Sequence, residues 1–222
     1  MTEITTIEEL VNQGVSFRDP NKVDIRGKLE CGKGVEIDIN VVFEGHVILG
    51  DRVKINSFCL ITDSSIDSDT QVRPFSLLQG AKIGSNTFIG PYGRVRENSV
   101  IGDDVQLGNF VEVKNVNIGA GCKINHLSFV GDTELAEGVI IGAGAITCNF
   151  DGEQSQKTII NKNAFIGSGS NLIAPIVIGE NSTIASGSTI TEDVADDVLA
   201  IARSRQCVKK NWQPSSKKQK KD

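Results

Sequence analysis

Two histidines, a Glu-x-Lys pair, one Asn beside an Asp-Gly turn and two late arginines are the side chains of this 222-residue chain that could do chemistry. An imidazole is the group whose charge changes near neutral pH, so His46 and His126 are the candidates for moving a proton. Glu112 and Lys114 stand two residues apart and so project from one face of a strand; they make either a surface ion pair or a charged binding site. Asn149 precedes Asp151-Gly152 and serves either as a turn residue or as a polar contact. Arg203 and Arg205 suit a phosphorylated ligand, because a guanidinium bonds two phosphate oxygens at once. The five Cys are scattered at 31, 59, 122, 148 and 207 with no C-x-x-C, which reads as reduced thiols without a zinc site or a disulfide framework.

The elements that must hold these groups are legible as a repeat. Ile83, Ile89, Val95, Ile101, Leu107 and Val113 recur at every sixth position, and Gly follows the aliphatic in Ile83-Gly84, Ile89-Gly90, Ile101-Gly102 and Leu107-Gly108. Neither the three-and-four spacing of an amphipathic helix nor the two-residue alternation of an ordinary strand gives a period of six. The hexapeptide period of a parallel β-helix does, with three hexads closing a coil of about eighteen residues. The rhythm starts at Arg26 and slips between Asp63 and Asp69. Its largest break, from Ile146 to Ile159, is opened by Thr147-Cys148-Asn149-Phe150-Asp151-Gly152. Insertions in repeat proteins gather on one face, often the binding face.

The expected organisation is a helical cap and lead-in over 1–25, with a short helix over 5–14, then the parallel β-helix over 26–194 and a tail over 195–222. An aromatic content of 5% suits a prism lined by Val, Ile and Leu. From Arg203 to Asp222 eight basic residues face one acid, which leaves the rest of the chain at −12. The Lys217–Lys221 run reads as a solvated tail, with neither nucleic acid nor membrane as partner. The first residues lack a basic and an apolar signal region, and no run spans a membrane, so a cytoplasmic location is expected.

Several strings resemble one family. Gly108-Asn109-Phe110-Val111-Glu112-Val113-Lys114, Asn125-His126-Leu127-Ser128-Phe129-Val130-Gly131-Asp132 and Gly142-Ala143-Gly144-Ala145-Ile146-Thr147-Cys148-Asn149-Phe150-Asp151-Gly152 look like the acetyltransferase domain of the bacterial N-acetylglucosamine-1-phosphate uridyltransferase/glucosamine-1-phosphate acetyltransferases. Arg18-Asp19-Pro20, Asp24-Ile25-Arg26-Gly27 and Ile201-Ala202-Arg203 extend the likeness over nearly the whole chain. The resemblance implies a left-handed β-helix, a homotrimer with sites between neighbouring subunits, and acetyl transfer from acetyl-CoA to a sugar amine in cell-envelope precursor synthesis. The family's nucleotidyltransferase domain has no counterpart here, so no uridylyl transfer is expected, and no metal. His126 matches the catalytic base and Asn149 a residue that positions the amine, while His46, outside the matching strings, reads as a surface turn residue. Arg96 and Lys114 match a phosphate clamp and Glu112 a sugar contact. Ala143, Ser168 and Arg203 match acetyl-CoA contacts, with Ser186 in place of an Ala. A backbone N–H near Ala143 would meet the oxyanion.

The acceptor side departs from the pattern. Phe129 and Phe150 replace two Tyr, Ile140 replaces an Asn, and Ser155 replaces a Lys for which nearby Lys157 is a substitute. Lost polar partners weaken the hold on a charged substrate. Three expectations follow: acetylation of glucosamine 1-phosphate, acetylation of another amino sugar such as a nucleotide-linked one, or a non-catalytic trimeric scaffold.

Overall fold

The structure, a computed structural model, describes residues 5–214, so the Lys217–Lys221 run lies outside the described residues. Short parallel strands stack into the three faces of a prism. The first face is an 11-stranded sheet that begins at Ser16–Phe17 and ends at Leu199–Ala200. The second and third faces form one 15-stranded sheet. They are joined because strands such as Val41–Leu49 run through the corner between them, with Val42 pairing to Leu60 on the second face and Ile48 to Ser65 on the third.

The hexad aliphatics fill the interior. Ile83, Ile89, Val95, Ile101, Leu107 and Val113 are each at most 2% exposed, and each strand keeps its aliphatic in register with those of the coils above and below. At the corners the inward residue is small, and where it is Ser or Thr its hydroxyl can bridge coils: Thr87 Oγ1 donates to the Gly102 carbonyl at 3.0 Å and accepts from the Val105 N–H at 3.1 Å. The helix Ile7–Asn12 covers the first coil with Leu10, which is fully buried. Thr6 and Glu9 close a capping box at its start.

Along the first face the register advances by one near-constant coil at a time, from Glu36 to Lys54, Gln71, Phe88, Gln106, Lys123 and Ile140. Ile140 then pairs with Phe165, a visibly longer step. The extra residues leave the prism between Ile146–Cys148 and Thr158–Ile160, at the break in the hexads.

Each corner turns through a residue of positive φ, a conformation in which Gly, Asn and Asp are at ease and bulky residues are strained. The corner between the third and first faces obeys this preference, Arg52 excepted, with Asp69, Asn86, Asp104, Asn163, Asn181 and Asp197, and the corner between the second and third with Asp63, Asn115 and Asp132. The corner between the first and second faces does not. It carries Phe58, Phe75, Tyr92, Phe110 and Leu127 at φ of 51° to 61°, then Gly144, Gly169 and Gly187. Successive rings stack with centroids 4.9 to 5.0 Å apart, and the five bulky side chains are 42% to 64% exposed.

Candidate active site

His126 ends the strand Lys123–His126 at the point where this corner changes character. Below it the corner is filled by rings; above it, from Gly144 onward, the turns carry no side chain. Backbone bonds place the rungs in order: Leu127 N–H donates to Asn109 O, Gly144 N–H to His126 O, Gly169 N–H to Ala143 O and Gly187 N–H to Ser168 O. Asn109, His126, Ala143, Ser168 and Ser186 therefore occupy one column on successive coils. With coils about 4.8 Å apart, the column runs roughly 14 Å from His126 to Ser186. Arg203 lies at its upper end, since a Cβ on Gly187 would stand 3.8 Å from Arg203 Cδ. The family resemblance implies that Ala143, Ser168, Ser186 and Arg203 serve one ligand, and the coil geometry lines them up with the imidazole. Gly142 lets the coils close here, because a Cβ on it would lie 2.5 Å from the Ser168 backbone nitrogen. The Gly144 N–H is used by the His126 carbonyl at 3.2 Å, whereas the Ala143 N–H bonds to no carbonyl among the described residues.

On the second face, Arg94 pairs with Glu112 and Glu112 with Phe129. The same register sets Arg96 beside Lys114, and Lys114 beside Gly131. Glu112 does not pair with Lys114 as the simple surface reading would have it; its Oε1 lies 3.2 Å from Arg96 and 3.6 Å from Arg94. Arg96 and Lys114 are thus two like charges on adjacent strands, with the Arg96 charge met by Glu112 at 3.2 Å and by Glu97 at 3.8 Å. The Phe129 ring leans over Gly131. A Cβ on Gly131 would stand 2.8 Å from Phe129 Cζ and 3.1 Å from Asn149 Nδ2, so ring, glycine and amide are neighbours.

Asp132 organises the far end of this face. Asn149 Nδ2 donates to its carboxylate, as do Asn115 and Ser155. Burial pushes the Asp132 carboxyl up, but these three donors and the Lys114 charge outweigh it and hold the group below the ordinary carboxylate range. The inserted loop closes on itself, with Gln156 N–H donating to Asn149 O at 2.6 Å and a bridge between Phe150 and Ser155. Phe150 is largely exposed at its edge. Beneath the loop an open groove of about 450 Å³ is lined by Asn115, Asp132, Glu134, Ser155 and Lys157. Lys157 is paired with Glu134 on the third face, a solvated pair of little energetic weight.

Because the folded pKa of Asp132 is depressed, its hold on the loop is present above the ordinary carboxylate range and is lost as pH falls through the lowered value. Asp132→Ala is expected to speed hydrogen exchange at the Gln156 N–H at least tenfold near pH 7. Unchanged exchange would mean that the loop orders itself.

Ile140 diverges from the set. It points from the first face, 39% exposed, between Lys123 and Phe165, while Phe129, Glu112, Lys114 and Arg96 point from the second. His46 is corrected from a turn residue to a strand residue within Val41–Leu49, with Nε2 2.6 Å from Glu30. Sequence reasoning gives no role to Asn109 or Asp132. Each nevertheless lies one coil before a residue to which it does give one, Asn109 before His126 and Asp132 before Asn149. No group of three His, Cys, Asp or Glu gathers as a metal site, and no helix is long and apolar enough to cross a membrane, among the described residues.

Comparison with known proteins agrees with this architecture. The family described as bacterial transferase hexapeptide (six repeats) matches residues 157–192, and the family described as the GMPPB C-terminal domain matches residues 25–117. The bifunctional protein GlmU of Nitrosospira multiformis is 47% identical over 212 residues, which cover 96% of this chain and 46% of that protein. Its counterpart in Herminiimonas arsenicoxydans is 46% identical over 204 residues, 92% of this chain and 45% of that protein. The chain thus spans about half the length of these relatives. Among solved structures, a UDP-N-acetylglucosamine acyltransferase of Francisella novicida superposes with a TM-score of 0.57 over 84% of this chain and 66% of its own, at 14% identity, a likeness of fold alone. The chain belongs to the bacterial hexapeptide-repeat transferases, as a homologue of the repeat-built half of the GlmU proteins.

Proposed function

We propose that this chain transfers the acetyl group of acetyl-CoA to the amine of glucosamine 1-phosphate. The observation that carries the reading is the column in which His126 stands directly below Ala143, Ser168 and Ser186, at the foot of a trough free of side chains. The pantetheine arm lies in that trough with a CoA phosphate at Arg203. The sugar lies over Phe129, its phosphate between Arg96 and Lys114 and its hydroxyls near Glu112 and Asn149. His126 takes a proton from the amine as the nitrogen attacks the thioester carbonyl. The Ala143 N–H receives the oxyanion, the C–S bond breaks, and CoA leaves as the thiol with that proton.

The active form in this reading is a homotrimer in the cytoplasm. Two observations support association. Ile140 and Phe129 face apart within one chain, so one chain alone does not bring both to the acceptor pocket that the resemblance implies. The ring column is a straight apolar edge with no charged residue at its tips, on a body that is otherwise strongly acidic. Four half-exposed rings offer about 400 Å² for burial, the apolar core of an interface of roughly 800 Å² per partner. Phe75→Asn combined with Tyr92→Asn suits the positive φ, so the coil itself keeps its fold. Sedimentation is expected to show wild type as a trimer and the double variant as smaller species at micromolar concentration. A variant that stays trimeric would remove the column from the interface.

A second reading has a specific observation behind it. Phe129, Ile140 and Phe150 are apolar, and Ser155 is turned onto Asp132 instead of offering a cation. Such a pocket favours an amino sugar with fewer charges near the ring. Release of free CoA, followed by thiol detection across glucosamine 1-phosphate, other amino sugars and their nucleotide conjugates, separates the readings. Turnover of glucosamine 1-phosphate supports the first, turnover of another sugar alone supports the second, and silence across the panel with CoA bound supports a scaffold.

A further inference from the structure

We propose that Asn109 is a positioning residue that sets which nitrogen of His126 is free to act as base. The inference rests on the acetyl-transfer reading for its consequence, but its premise is geometric. Asn109 and His126 are register partners on the strands Gln106–Asn109 and Lys123–His126. Asn109 Oδ1 lies 2.7 Å from His126 Nδ1. The bond from Leu127 N–H to Asn109 O, 3.1 Å long, fixes the same rung, so the backbone sets the two residues one coil apart.

A carbonyl oxygen has only lone pairs to offer, so Nδ1 must carry the hydrogen and Nε2 is left with the lone pair. That is the tautomer able to receive a proton from an amine. The reverse arrangement, in which an amide N–H donates to Nδ1, would leave Nε2 protonated and useless as a base. An amide is suited to this task in a way a carboxylate is not: it selects the tautomer without adding a charge that would stabilise imidazolium. The strand below presents Gln106 and Asn109, and the coil above presents Ile140 and Ala143. The charged residues on the adjoining stretches are Lys123 on the same strand and Glu112 on the next face.

The test uses the fact that the chain holds two histidines. Nitrogen NMR of the neutral imidazoles in wild type is expected to show His126 protonated at Nδ1. Asn109→Asp is expected to raise the His126 titration midpoint by about one unit, to move the acid limb of kcat/KM up by the same amount, and to leave His46, beside Glu30, unmoved. Asn109→Leu is expected to mix the tautomers and lower kcat roughly tenfold or more, with KM for acetyl-CoA unchanged. A wild-type His126 protonated at Nε2, or an Asn109→Asp protein whose titration and acid limb do not move, would overturn the proposal. Wild type that releases no CoA from any amino sugar would overturn the acetyl-transfer reading instead, and the tautomer measured in the free protein would still decide the pairing.

Discussion

His126→Ala is expected to lower turnover by a factor of about 10² to 10⁴, the range over which a positioned general base acts. The reason is visible in the column. Asn109 Oδ1 holds one nitrogen of the ring at 2.7 Å, and His126 is the one imidazole on the column that leads to Ala143, Ser168 and Ser186. The side chain is exposed and makes no core contact, so its removal is expected to leave Tm close to that of wild type. CoA affinity should also persist, since Ala143, Ser168, Ser186 and Arg203 lie on the rungs above. A loss of turnover accompanied by an equal loss of CoA affinity would show instead that the imidazole holds the donor.

The second large effect is on stability. Gly108→Val is expected to destabilise the chain by about 3 kcal/mol or more, the scale of severe overpacking. A Cβ at 108 would stand 2.0 Å from the Asn125 carbonyl oxygen and 2.6 Å from its carbon. Those are backbone atoms of the next coil, so no rotamer change relieves the clash. The coils would have to separate between Leu107 and Ile124, which are paired core residues, and in a solenoid that interface is part of the stability itself. For a domain of this length the loss corresponds to roughly 6 to 12 °C in Tm. Gln106→Val, two residues earlier on the same outward row but exposed, is the control and should change Tm little. If Gly108→Val melts like wild type, the coil spacing is more yielding than the packing indicates.

Most of the architecture is legible because a prism gives every inward aliphatic the same surroundings, and identical surroundings leave a period. The strict sixes from Ile83 to Val113 follow from that, as does the break at Ile146 to Ile159, where the first face takes its long step from Ile140 to Phe165. The candidate site is legible only in part. His126 and Ala143 can be matched from local strings, but their alignment with Ser168 and Ser186 depends on a loop of uneven length that no fixed period spans. Asn109 is within reach, since one coil separates it from His126. Low aromatic content suits the aliphatic interior, yet four of the rings stack outside on a corner, one per coil at Phe58, Phe75, Tyr92 and Phe110. Pairwise side-chain choices are the least legible: nothing local says that Ser155 turns to Asp132, that Lys157 takes Glu134, or that Glu112 prefers Arg96 to Lys114.

In the proposed reaction His126 draws a proton from a sugar amine while the column above it holds acetyl-CoA. A single-turnover experiment tests this most directly: excess protein is mixed with acetyl-CoA and glucosamine 1-phosphate, and the N-acetylated product is followed by mass for wild type and His126→Ala, with CoA affinity measured in parallel. Wild type is expected to convert the sugar phosphate within the first turnover, and the variant, binding CoA equally well, to be slower by a factor of about 10² or more. Equal product formation by both proteins, or none by wild type although CoA is bound, would contradict it.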